Sequence, residues 1–252
     1  MFLELFYWNM SARFRRVPFF LGSAVIVAYL LAQSLSQYAS SAGSPLLTTV
    51  AVLGRVRSLT FVLIVLETMG FRAMYGNGAV HILLRSGSRR RFWMSRLLAT
   101  LALSGLSALL MIVVSLSMDV MVKHVGPWHA GSGAHAPHMV PSSSVAVMFL
   151  LLTSGIAAIL VLMDVLQILF SSAFLAYVFV TTVQIVSLIS HALLTGETAE
   201  TIFRISPFLR LSLIDNSIQH EQPAHSIEYL LLFLAVESLA GWWLVSYRNI
   251  DG

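Results

Sequence analysis

Between residues 145 and 191 the chain runs for 47 residues with a single charge, Asp164. At 1.5 Å per residue one helix of that length would reach roughly 70 Å. The hydrocarbon of a bilayer is only about 30 Å thick. The stretch therefore reads as two membrane spans back to back, with the chain reversing between Asp164 and Ser172. The rest of the chain agrees with that solvent. It is 58% hydrophobic and only 10% charged, with a mean hydropathy of +0.84, whereas soluble domains carry about 25% charged residues. We read residues 1–252 as a single all-α integral membrane domain. With no cysteine in the chain, disulfides and thiolate chemistry are excluded.

Apolar patterning and breaker residues divide the chain into six expected transmembrane helices, at 18–35, 58–80, 97–118, 145–166, 171–191 and 228–247. Pro18 suits the first helical position, and Trp242, Trp243 and Tyr247 close the last span as an aromatic belt. The span at 58–80 must pass Arg72 and the break at Gly76, Asn77 and Gly78. Before the first span, Leu3, Phe6, Tyr7, Met10 and Phe14 share one face of a helical wheel. Glu4, Ser11 and Arg15 fall opposite, so residues 1–16 read as an interfacial amphipathic helix. Its arginines follow its apolar residues, the reverse of a cleavable signal. Loops are expected at 119–144 and 192–226, with the apolar part of the second, 202–214, dipping into the interface.

On this map ten of the fifteen basic residues fall on one side. Arginine-rich short loops stay in the cytoplasm, so both termini are expected there, in a bacterial plasma membrane. The net charge of +4 comes from these short loops. It points to anionic lipid or an acidic partner and not to nucleic acid.

Little in the chain carries catalytic chemistry. The only lysine is Lys123, in DVMVKHV; without a preceding glycine-rich turn it cannot be the lysine of a phosphate-binding loop. His220 and His225 have the wrong spacing for a zinc hydrolase, and Pro223 interrupts the helix that such a site requires. The loop histidines His124, His129, His135 and His138 read as a solvated loop. The small residues Ser104, Ser107, Ala108, Ser154, Gly155 and Ala158 read as helix-packing seams. We therefore expect no enzyme activity, no metal and no cofactor bound by this chain. Three acids lie within or at the ends of spans. Asp164 reads as a turn residue, while Glu67 and Glu237 are candidates for a pathway or subunit interface. A charge at the bilayer centre costs about 2.5–3.5 kcal/mol on insertion scales.

The most basic stretch is 81–96, HILLRSGSRRRFWMSR, with five arginines. Gly87 allows a bend, Ser88 can cap a helix beginning at Arg89, and Trp93 can anchor it at the interface. With the expected six spans and the N-terminal amphipathic helix, this layout resembles the half-size permease subunit of type-2 ABC exporters, of the kind that serves peptide or bacteriocin export and immunity. The resemblance implies that Leu83, Leu84, Arg85, Ser88, Arg89, Arg90, Arg91, Phe92 and Trp93 form a segment coupled to separate ABC ATPase subunits. Those partners would hold ATP and Mg. It also implies a second permease subunit, identical or related, with the translocation pathway between the two and a peptide or other amphiphile as cargo. The competing expectation is an accessory or immunity protein that binds a partner or sequesters a peptide without transporting it.

Overall fold

The computed structural model describes residues 17–38, 88–125, 141–193, 197–211 and 223–247, together with Glu4, Phe6, Tyr7, Thr49, Leu53 and 62–64. Among the described residues the chain is all-α. In chain order the helices are α1 (Val17–Tyr38), α2 (Arg89–Val125), α3 (Pro141–Phe170), α4 (Ala173–Leu193) and α5 (Glu197–Ile205). A 3₁₀ turn (Leu209–Leu211) and α6 (Pro223–Tyr247) complete the order.

Four of these helices, α2, α3, α4 and α6, are long and apolar enough to cross a bilayer. This corrects the expectation of six transmembrane helices and, with it, the resemblance to a six-span permease. The expected span at 18–35 lies within α1, but its described apolar part is only Leu21–Leu35, about 22 Å of helix against about 30 Å of hydrocarbon. The expected span at 58–80 lies outside the described residues except for 62–64, which are helical. Of the expected interfacial helix at 1–16, Glu4, Phe6 and Tyr7 are described and helical, with Tyr7 exposed.

The fold is built around α3. Its most apolar window is 61% buried, against 22–33% for the other three spans. A helix that is apolar all round is a central helix, and α3 buries residues on every side, from Leu151 and Leu152 to Val165 and Leu166. It packs against α2, α4 and α6, while α1 packs on α2. The main apolar cluster joins Ile26 and Leu30 of α1, Met111 and Ile112 of α2, Leu151, Ile156 and Ile159 of α3, Val180 of α4 and Leu230 of α6.

The ends of the helices depart from the expected loops. α2 continues past residue 118 to Val125, so Asp119 is helical and not a loop acid. Asp164 stands inside α3, two turns before its end, and is not a turn residue. The reversal falls at Ser171 and Ser172. Ser171 adopts φ 54°, and Ser172 caps α4 by accepting the Leu175 amide on its Oγ at 3.3 Å. In the region expected to dip into the interface, α5 stops at Ile205 before Pro207, and the 3₁₀ turn buries Leu209 against Phe203. Arg210 lies 4.4 Å from the ring centre of Tyr229, and the Tyr229 hydroxyl donates to the Ile205 carbonyl at 2.6 Å, tying this short element to α6.

The left-handed position at Ser171 gives a direct test. Ser171→Gly is expected to hold or raise the unfolding midpoint in detergent. Ser171→Val should lower stability by about 1–2 kcal/mol, because a β-branched side chain clashes in this region.

Candidate functional site

The α2 start is an unusual way to begin a helix. Ser88 supplies the first carbonyl, which accepts the Phe92 amide at 3.2 Å, and Arg89, Arg90 and Arg91 fill the first turn with no acid among them. Three cations sit there on the positive end of the helix dipole, where each typically costs about 0.3–1 kcal/mol. Helix stability therefore does not account for three cations at this position. Arg90 and Arg91 are exposed. The Arg90 guanidinium lies 5.5 Å from the ring centre of Trp242 and reaches Ser246 Oγ at 3.4 Å, so the α2 start rests on the end of α6.

Trp93 makes this joint close. It is fully buried, and its indole N–H donates to the Ser238 carbonyl at 3.1 Å. Its ring lies directly over Gly241, where an added Cβ would come within 2.0 Å of it. Only a residue with no side chain lets the indole approach α6 this closely. Val161 and Val165 of α3 and Val245 of α6 complete the apolar packing around Trp93.

One turn further along α2, Arg96 is only 3% exposed. It forms a two-pronged ion pair with Asp164 of α3, Nε to Oδ2 at 2.8 Å and Nη2 to Oδ1 at 2.5 Å. Thr100 Oγ1 donates to the same Oδ2 at 3.5 Å. A planar guanidinium matched to both carboxylate oxygens is the strongest geometry for such a pair. The pair is neutral as a unit, so neither charge faces the apolar interior alone.

Glu237 belongs to the same layer. It precedes Ser238, whose carbonyl binds Trp93, and so lies at the depth of the turn from Trp93 to Arg96. It shares the buried stripe of α6 with Ser226, Leu230, Gly241 and Val245. It is 5% exposed, and among the described residues neither carboxylate oxygen has a hydrogen-bond partner. Leaving a buried polar group without a partner is costly, so Glu237 is the least compensated acid in this layer.

Of the residues expected to form a functional site, the structure brings Ser88, Arg89, Arg90, Arg91, Phe92 and Trp93 together at one helix start. Glu237 lies in the layer just beyond. Leu83, Leu84, Arg85 and Glu67 lie outside the described residues. Sequence reasoning missed the Arg96–Asp164 pair, because Arg96 was assigned to the basic loop and Asp164 to a turn. The available signal was one cation and one anion at the edges of successive apolar runs. Among the described residues no group of three or more His, Cys, Asp or Glu side chains could hold a metal ion. The chain matches no protein-family model, no curated protein and no solved structure.

Two substitution sets test this layer. Asp164→Asn should cost about 3–5 kcal/mol by stranding Arg96, whereas Arg96→Met with Asp164→Leu should recover most of the loss. Unfolding midpoints in detergent for the singles and the double check it. Gly241→Ala should cost about 1–3 kcal/mol by overpacking against Trp93, and nearly nothing in a Trp93→Leu background, as a double-mutant cycle would read.

Proposed function

We propose that this multi-span all-α membrane protein is the membrane subunit of a transport complex driven by a separate ATPase. The observation that carries the reading is the α2 start. Three arginines crowd the positive end of a helix dipole and project from a joint that fixes α2 to α6. A cationic surface of this kind suits an acidic partner on the cytoplasmic side. A rigid joint behind it passes any displacement to two spans at once. Trp93 takes the displacement to α6, and Arg96 takes it to α3.

On this reading residues 83–93 are the docking surface, and ATP and Mg belong to the partner. The chain itself is not an enzyme. Glu237, buried within the bundle, is on this reading a polar point that becomes accessible only when the spans move apart.

One observation favours a second reading. The Arg96–Asp164 pair locks α2 to α3, as befits a static membrane protein that binds a partner or sequesters a peptide without transporting it.

Co-purification with a P-loop ATPase in mild detergent separates the two. Wild type should retain the ATPase and alter its hydrolysis rate. Joint replacement Arg89→Glu, Arg90→Glu and Arg91→Glu should weaken the complex at least about tenfold, equivalent to about 1.4 kcal/mol. Charge reversal can also invert a topology. The chain has no cysteine, so one cysteine introduced beside the segment reports which side it faces. If the ATPase is retained equally by a correctly oriented triple variant, the docking surface is not this segment. If wild type recruits no ATPase, the static reading replaces the transport one.

A further inference from the structure

Three acids are buried among the described residues, Asp119, Asp164 and Glu237, and the bundle answers two of them with partners. Asp164 meets the Arg96 guanidinium, and Asp119 accepts the Thr49 hydroxyl. Glu237 receives neither kind of group. It is 5% exposed, and neither Oε1 nor Oε2 has a hydrogen-bond partner among the described residues.

The surroundings of Glu237 explain why. One turn to either side on α6 stand Phe233, Leu234, Ala240 and Gly241. These are the positions from which a neighbour could reach back to the carboxylate, and none has a polar side chain. α6 packs against α3, α2 and the 3₁₀ turn. The charge of α3 is Asp164, itself an acid. α2 carries no charge between Arg96 and Asp119, and Arg96 is committed to Asp164 through both prongs. Arg89, Arg90 and Arg91 stand at the α2 start, where Arg90 rests on Trp242 and Ser246 near the end of α6. In the 3₁₀ turn Arg210 lies over Tyr229, two turns of α6 before Glu237 and about 12 Å along the helix. His225 and Glu228 stand further toward the start of α6, and Tyr247 at its end. The stripe itself is closed on both sides of the carboxylate. Trp93 lies against Gly241, and Leu230 belongs to the main apolar cluster.

An ionised carboxylate in this place would be an isolated charge in an apolar medium. A proton removes the charge, which is by far the larger part of that cost. The proton is needed only while the packing lasts. Once water reaches the group, the ordinary acidity of a glutamate, about 4.3, favours release at neutral pH. We propose that Glu237 is a proton-binding site of the interface between α6, α2 and α3, holding one proton while α6 is packed and giving it to water when α6 parts from the other two. Parting of these spans is thereby linked to release of one proton, favoured by alkaline pH and opposed by acid. The linkage belongs to the bundle and holds whichever partner moves the spans.

The test is thermal unfolding of the full chain in detergent from about pH 5 to about pH 8, wild type beside Glu237→Gln, an isosteric variant that cannot ionise. The packed state binds a proton that the separated state releases, so the wild type loses stability as pH rises through this range. The histidines titrate in both chains and cancel in the comparison. The two melting temperatures should lie close at the acid end and diverge above it, Glu237→Gln being the more stable, by roughly 3–5 °C per pH unit. Infrared spectra of the native wild type at neutral pH should carry a protonated-carboxyl band that Glu237→Gln lacks. Glu237→Leu is the second neutral variant should the first not fold. A gap that does not change with pH overturns the proposal, and so does the lack of that band. A wild type more stable than Glu237→Gln at neutral pH, or failure of both neutral variants to fold, points to a paired, ionised carboxylate and overturns it too.

Discussion

The pairing of Arg96 with Asp164 is the constraint on which the other contacts in the bundle depend. Each residue alone would put a charge in a place that repels it, and together they make a neutral, directional joint. Hydrophobic contact between helices gives little preference for one rotation over another when lipid offers the same apolar surroundings. A guanidinium that must meet both oxygens of one carboxylate fixes the rotation and the depth of α2 against α3. Once these are fixed, Trp93 faces α6 at the only height where Gly241 makes room for it. α6 is thus located by shape, but only because α2 has first been located by charge.

The polar groups are distributed along α2 in levels. Guanidinium groups stand at its start, the compensated pair follows one turn in, and a long apolar stretch leads to Asp119 near the other end. Each level joins α2 to a different neighbour: α6 through Arg90 and Trp93, α3 through Arg96, and Thr49 through Asp119, whose Oδ2 accepts the Thr49 hydroxyl. A single helix therefore carries most of the directional contacts, while α3, buried on all sides, supplies most of the apolar area. The two roles are complementary. α3 holds the bundle together without choosing a geometry, and α2 chooses the geometry.

Much of the architecture was legible in the sequence, for reasons that can be named. A run of 47 residues with one charge admits only a pair of spans, and α3 and α4 occupy it. The span closed by Trp242, Trp243 and Tyr247 was recognisable from its aromatic end, and the helix start at Arg89 from the serine before it. The limits came from treating charge as a marker of loops. Asp119 was placed in a loop and Asp164 at a turn near a span end because an isolated carboxylate is costly in a membrane, yet each has a partner distant in sequence, Thr49 and Arg96, that lowers the cost. Pairings over such separations leave no local pattern. The expected first span lies within α1, whose described apolar part is Leu21–Leu35. Glu237 was legible as an unusual residue but not as a neighbour of the Trp93 turn, because its depth depends on how α2 and α6 align.

The two-residue reversal between α3 and α4 bears on how the protein is made. With only Ser171 and Ser172 between them, the two helices cannot be threaded into the membrane one at a time with a loop waiting in water. They must enter as a hairpin. Arg96 is synthesised 68 residues before its counter-ion, so its guanidinium is matched only once that hairpin has been made. The hairpin delivers Asp164 and the central apolar helix in the same event. Biogenesis of the bundle thus has a built-in order, in which the second half of the chain rescues the first.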